Sequence, residues 1–501
     1  MELLGNLALG LETALHFHNL FYCFVGVLLG TLIGILPGVG PTATIAMLLP
    51  VTFALEPVSA LIMLAGIYYG AQYGGSTTAI LMNLPGEAST AVTAIDGYQM
   101  ARQGRAGPAL AIAAIGSFVA GTIATVVIAA SAPMLTRMAL EFGAAEYFSL
   151  IVFGLISSVA LAHGSVLKAL AMIVLGLALG LVGTDVYTGI QRFTLGSLDL
   201  FDGINVVAIA VGIFGIAEIL RSLENESEQE VGGVKVGSLM PSREDFRQSA
   251  GPIFRGTILG SLLGVLPGGG ALLSSFASYT AEKKLSKTPE RFGHGAIEGV
   301  AGPEAANNAG AQTSFIPMLT LGIPSNTVMA LMIGALILQG IVPGPNVAIE
   351  QPGLFWGLIA SMWIGNVMLL LLNLPLIGIW VRLLQVPYYV LFPAIIAFSA
   401  IGIYSVNGNP FDLYLLTVFG LGGYLLMKLG CEPAPFLLGF VLGPMFEEHL
   451  RRAMIFSRGD PSIFITSPIS AFFLALSALM LVLVALPAVR SRREDIFIEG
   501  E

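Results

Sequence analysis

The sequence predicts an all-α polytopic membrane protein with roughly a dozen membrane segments, arranged as two inverted repeats that contain re-entrant hairpins and broken helices. Three observations predict it. Of 501 residues, 55% are hydrophobic and only 11% charged, too few charges to solvate a globule of that size. Runs without Asp, Glu, Lys or Arg cover residues 13–55, 57–86, 106–136, 305–349, 351–381, 383–411 and 461–489, and a spanning helix needs about 20 apolar residues. One phrase is written twice: GVLLGTLIGILPGVG at 26–40 and GTILGSLLGVLPGGG at 256–270 are identical at nine of fifteen positions.

Residues 1–18 hold Leu3, Leu7, Leu11 and Leu15 at helical spacing, which fits an interfacial helix or a plain extension into the first span. No Lys or Arg precedes Arg102, so the basic segment of a cleaved signal peptide is absent. Residues 19–221 form the first transmembrane repeat. Its opening run of sixteen residues, 21–36, meets a Pro-Gly break, and 41–55 adds fifteen; both are short for a span, so the pair reads as a re-entrant hairpin with its tip at 36–41. Tyr73-Gly74-Gly75-Ser76-Thr77-Thr78 reads as a second break, followed by Asn83-Leu84-Pro85-Gly86-Glu87. A polar linker spans 222–251, a second repeat 252–452, and an extra C-terminal transmembrane helix with a charged tail 453–501. The repeats agree beyond the doubled phrase: Gly70–Gln72 recurs as Gly310–Gln312, Leu84-Pro85-Gly86 faces Ile323-Pro324-Ser325, His163-Gly164 faces Asn407-Gly408, and Glu218–Arg221 matches Glu448–Arg451.

Charge placement predicts that the repeats are inverted, because cytoplasmic loops carry the excess of Lys and Arg. Lys283, Lys284, Lys287 and Arg291 follow the second copy of the phrase, whereas the equivalent loop near Glu56 has no basic residue. Arg102 and Arg105 face a 339–352 loop holding only Glu350, and Lys168 faces Asp412. The N-terminus is then periplasmic, and the tail with Arg490, Arg492 and Arg493 cytoplasmic. Arg451, Arg452 and Arg458 depart from the pattern.

Paired Gly/Pro-interrupted hydrophobic segments in two halves point to a transporter's substrate site. Broken helices expose N–H groups that favour an anion and carbonyls that can hold a cation. The expected substrate-binding residues are Pro37, Gly38, Gly40, Pro41, Thr42, Gly74, Gly75, Ser76, Thr77, Thr78 and Asn83 in the first half. Pro267, Gly268, Gly270, Asn307, Asn308, Thr313, Ser314, Pro324, Ser325 and Asn326 complete them in the second. Gly30, Gly34, Gly121 and Gly365 read instead as helix-contact residues. Glu87, Asp96 and Glu304 border the motifs; proton coupling is open to them, but solvation in loops is the simpler reading. Neither a phosphate loop, a catalytic HExxH, a Cys/His cluster nor a nucleic-acid signature is present, and no cofactor is expected.

At residues 34–41, 69–81, 83–87, 96–98, 303–309, 321–324 and 343–345 the chain resembles the large, TctA-type membrane subunit of the tripartite tricarboxylate transporters. The family's usual Gly-Ser after Gly-Ile-Pro is here Ser325-Asn326. The resemblance implies a bacterial inner-membrane carrier for citrate-like or other carboxylates, driven by a cation gradient, Na⁺ or H⁺. It also implies two partners, a small four-helix membrane subunit and a periplasmic solute-binding protein. A self-sufficient carrier, a passive channel and an intramembrane enzyme are the rival readings.

Overall fold

The computed structural model describes residues 2–36, 40–161, 165–224, 236–266, 270–383 and 388–485. The first half of the chain contains α1 (Glu2–Leu15), α2 (Phe17–Ile35), α3 (Gly40–Thr52), α4 (Pro57–Met82), α5 (Ala91–Arg102), α6 (Ala106–Leu140), α7 (Ala144–Leu161) and α8 (Val166–Gly180). An antiparallel hairpin, β1 (Gly183–Thr184) with β2 (Gln191–Arg192), supplies the only strands among the described residues. Next, α9 (Val206–Ala210) passes through a π-helical turn, Val211–Ile216, into α10 (Ala217–Glu224). The second half opens with α11 (Arg243–Leu263), α12 (Gly270–Leu285), α13 (Glu298–Thr313), α14 (Phe315–Leu321), α15 (Thr327–Leu338) and α16 (Val347–Glu350). It continues with α17 (Pro352–Asn373), α18 (Ile377–Leu383), α19 (Tyr388–Asn407), α20 (Pro410–Lys428) and α21 (Pro433–Phe456), and α22 (Ile463–Thr466) and α23 (Pro468–Ala485) follow.

This is an all-α membrane protein: Phe17–Ile35, Ala106–Leu140, Val206–Glu224, Pro352–Asn373 and Pro410–Lys428 are each long and apolar enough to cross a bilayer, and shorter apolar helices accompany them. Lipid gives helices no hydrophobic reason to associate, so close approach through small residues has to hold the bundle. The doubled phrase does this in both halves. A Cβ on Gly26, Gly30 or Gly34 of α2 would strike the main-chain oxygens of Met63, Ile67 and Ala71 on α4. Gly256 and Gly260 of α11, with Gly264 just beyond it, lie in the same way against Gly302, Ala306 and Gly310 of α13. Gly121 packs on the Asn366 amide and Gly365 on the Tyr69 ring, so these four expected contact glycines do serve as such. Gly176 of α8 and Gly439 of α21 interlock those two helices, and Gly420 of α20 meets the π-helical turn at Ile216.

Three expectations change. The Gly74-Gly75 run is not a break: α4 continues through it, because Gly70 and Gly74 are contact points for α2 and the Thr78 hydroxyl reaches the Ile35 carbonyl at 2.8 Å. The helix stops instead at Asn83, in the left-handed region at φ 57°. Asn307 and Asn308 likewise sit inside continuous α13, and the real interruption comes at Gly322 (φ 70°) through Asn326, which caps α15 by accepting from the Met329 amide at 2.9 Å. The linker is shorter than 222–251, since Ser242 caps α11 and residues 243–251 are already helical. The helix α1 is separated from α2 at His16 and lies on α17, with Gly10 against the main chain of Trp356. The hairpin tips, with Pro37, Gly38, Pro267 and Gly268, lie outside the described residues, as do His163, Gly164 and the basic tail.

Candidate functional site

The helix α13 of the second half lies against α4, α5 and α6 of the first. Glu304, Asn308 and Gln312 recur every fourth residue along it and so share one face. They meet Ser117 and Thr125, two turns apart on α6. The Asn308 amide donates to the Ser117 hydroxyl at 2.6 Å, and Thr125 donates to the Gln312 oxygen at 2.9 Å. Glu304 is fully buried. Its carboxylate accepts from Ser76 of α4 at 2.6 Å, Thr93 of α5 at 2.5 Å and, more loosely, Ser117 at 3.4 Å. Every one of these partners is a hydroxyl, none a cation. A polar seam in a bilayer protein is costly, and such seams mark substrate or ion pathways.

A narrow cleft with room for roughly one water molecule opens onto this seam. Ser76, Thr77, Ser117, Tyr73 and Asn373 line it, and the Tyr73 hydroxyl and the Asn373 side-chain oxygen there have no partner among the described residues. Both amide atoms of Asn307, wholly buried one residue before Asn308, are likewise unpartnered among the described residues. Buried polar groups are normally satisfied, so this concentration marks a place where water, an ion or a substrate group completes the shell.

Asp96 of α5 forms a second bridge between the halves, of a different kind. Its Oδ1 accepts three main-chain N–H groups, from Gly293, Gly295 and Ala296 at 2.8–2.9 Å, and its Oδ2 accepts the Tyr279 hydroxyl at 2.9 Å. Asp96 is fully buried, as Glu304 is, so loop solvation is the wrong account of both.

A much larger cavity, about 1190 Å³, lies elsewhere, among the 180–206 segment, the end of α15, the start of α20 and the later part of α21. Asp185, Asp199, Asp202, Asp412, Glu447 and Glu448 line it against a single arginine, Arg192. Arg192 forks onto Glu447 at 2.7 and 3.0 Å, and Arg451 reaches Asp185 at 3.0 Å. The Thr188 hydroxyl, then the Tyr187 amide and Arg451, hold the Asp185 carboxyl down at about 2. That lies below the ordinary aspartate value of about 3.9, so the stabilisation is complete above the latter and is lost as pH falls toward the former. Hydrogen-exchange protection at Tyr187 and Gly189 should therefore persist at about pH 5 and vanish between about pH 4 and 2. Protection unchanged at the acid end would show that this carboxylate does not hold the loop.

The sequence matches the tripartite tricarboxylate transporter TctA family over residues 20–438. The chain belongs to the TctA family. It is 67% identical over 501 residues, the full length of both chains, to an uncharacterized 52.8 kDa protein in the TAR-I ttuC' 3' region of Agrobacterium vitis. It is 65% identical over 242 residues, 48% of this chain and all of the relative, to an uncharacterized protein in the TAR-II ttuC' 3' region of the same organism. No solved structure matches.

In this TctA chain the seam, the cleft and the Asp96 bridge all fall within the family match, whereas the 440–448 wall of the large cavity falls beyond it. The expected site residues divide by what they touch. Ser76, Thr77 and Asn308 converge on the seam and cleft, with Asn307 beside them. Thr78, Thr313, Ser314 and Ser325 donate their hydroxyls to main-chain carbonyls, and Asn83 and Asn326 serve helix ends. Gly74 packs against α2 and Gly75 against Thr90. Gly40, at φ 58°, starts α3, followed by Pro41 and Thr42, while Gly270 starts α12 and Pro324 is buried just past the α14 break. Sequence reasoning missed Tyr73, Thr93, Ser117 and Asn373 and set Glu304 aside. A glutamate flanked by uncharged residues on both sides, 299–303 and 305–349, was the available signal for the last.

Proposed function

We propose that this chain is the large permease subunit of a secondary transporter that imports tricarboxylates such as citrate, or other carboxylates, driven by a cation gradient. It works in the bacterial inner membrane with a small four-helix membrane subunit and a periplasmic solute-binding protein. Membership of the TctA family carries the reading. The hydroxyl- and amide-lined seam where the two halves meet supports it, because neutral donors can hold a carboxylate without a permanently buried cation.

Loop contacts support inverted repeats with the N-terminus periplasmic and the C-terminus cytoplasmic. Loops that touch carry the same assigned side: Asn19 with Ser59, Gln339 with Thr52, Asp199 with Asn409, and Asp185 with Arg451 on the periplasmic side. Arg105 with Asp245, Gln103 with His294, and Glu224 with Lys428 meet on the cytoplasmic side. Arg451, which departs from the charge rule, is neutralised by Asp185 and Glu447.

The acidic cavity is then a periplasmic vestibule. Six carboxylates against one arginine repel a free carboxylate substrate, which favours delivery from a docked binding protein that raises the local concentration. In proteoliposomes with an imposed cation gradient, this chain and the small subunit should take up citrate only when the binding protein is added. Saturable uptake by the chain alone would make it a self-sufficient carrier. Flux without saturation or coupling would make it a channel.

A further inference from the structure

We propose that Glu304 carries the coupling proton: the cation that drives this transporter is H⁺, taken up and released at the Glu304 carboxylate in the seam between the halves. The inference rests on the transporter reading above and names its driving ion.

The two buried carboxylates differ in what surrounds them. Asp96 is held at Oδ1 by three main-chain N–H groups, which can only donate and cannot reverse direction. Glu304 has hydroxyls alone, and a hydroxyl can either donate or accept. Ser76 has one hydrogen but two acceptors in reach, the Glu304 Oε2 at 2.6 Å and the Gln72 carbonyl at 2.9 Å. When Glu304 is ionised, Ser76 turns to it. When Glu304 is protonated, its Oε2–H donates to Ser76, Ser76 donates to Gln72, and Thr93 still donates to Oε1. Both states place every hydrogen, so the site accommodates gain and loss of one proton by hydroxyl rotation.

Oxygen spacing argues against Na⁺ at the same point. The carboxylate lies 2.5–2.6 Å from the Thr93 and Ser76 oxygens, hydrogen-bond contacts with no room for an ion between them. The position is also not part of the repeated scaffold. In the glycine register that pairs Met63 with Gly302 and Ile67 with Ala306, the first-half counterpart of Glu304 is Ala65, buried and apolar.

The titratable groups that face Glu304 are Tyr73 of α4 and Glu87 of the turn before α5. On the other neighbours, Asp96 of α5 is held by its four donors and by Tyr279 of α12 among them. Glu282 of α12 is paired with Arg255 of α11, and Asp245 of α11 with Arg105. On α6 the facing group is the Ser117 hydroxyl. The Tyr73 hydroxyl, unpartnered in the cleft that also reaches Ser76 and Ser117, gives water a foothold beside the acid.

Two measurements test the proposal. The full chain in lipid nanodiscs, titrated in the infrared, should show a protonated-carboxyl band that disappears as pH rises, is missing in Glu304→Gln, and shifts in frequency in Ser76→Ala. The Ser76→Ala arm and the wild-type titration stand even if Glu304→Gln fails to fold. A titrating band unaffected by both substitutions, or no such band, overturns the proposal. In proteoliposomes holding the complete transporter, with citrate as probe and no Na⁺, accumulation should rise about tenfold per unit of inward pH gradient for one coupled proton. Glu304→Gln should lose that dependence. Accumulation that follows a Na⁺ gradient and ignores pH overturns the proposal while leaving the transporter reading intact. If the wild type moves no citrate, the citrate reading fails instead, and the infrared titration decides the proton site by itself.

Discussion

Asp96→Ala is expected to destabilise the protein by more than about 4 kcal/mol, since it strips a buried acceptor from four donors and each orphaned buried donor costs about 1–3 kcal/mol. The donors are the Gly293, Gly295 and Ala296 amides and the Tyr279 hydroxyl, all from the second half, whereas Asp96 belongs to the first. Thermal unfolding in nanodiscs should show a large drop for Asp96→Ala. Tyr279→Phe, which removes one donor together with its need for a partner, should cost only about 1 kcal/mol. Asp96→Asn should fall between them, because its oxygen can still serve the amides. Equal unfolding of Asp96→Ala and wild type would show that this bridge does not hold the halves together.

Gly86→Ala is expected to be as damaging by a different route. A Cβ there runs into the Gly34 carbonyl oxygen and lies 2.6 Å from the Gly75 Cα. Both obstacles are main chain, one on α2 and one on α4, so no side chain can swing aside, and overpacking of this kind costs about 3 kcal/mol or more. Gly422→Ala is the matched control: it lies inside α20 with nothing within 4 Å of the new atom, and it should gain about 0.5–1 kcal/mol from helix propensity. Folded protein recovered by size exclusion should collapse for Gly86→Ala and hold for Gly422→Ala. Comparable recovery of both would mean that the loop at 83–87 gives way easily.

The sequence by itself determined that the chain is a helical membrane protein and that Gly30, Gly34, Gly121 and Gly365 carry helix contact, because both depend on local quantities. An uncharged run of sufficient length must be satisfied internally in lipid, and Gly at every fourth position forms one smooth stripe wherever it occurs. Gly30 and Gly34 were legible for that reason, whereas the same role of Gly26, Gly256, Gly260 and Gly264 came from the structure. Family membership was legible too, since it rests on the order of motifs along the chain. The site was legible only in part. Ser76 and Asn308 stood out as polar residues in apolar runs, but the same criterion selected Thr78, Thr313, Ser314 and Ser325, whose hydroxyls donate to main-chain carbonyls away from the seam. Gly-Gly-Ser-Thr-Thr looked like a break because glycine lowers helix propensity, yet burial against α2 outweighs about 1 kcal/mol per glycine. Tertiary structure alone decided the meaning of Glu304 and Asp96. Each is a single acid in a sequence, and whether it is solvated, clamped or proton-bearing depends on donors 183 to 228 positions away in the chain.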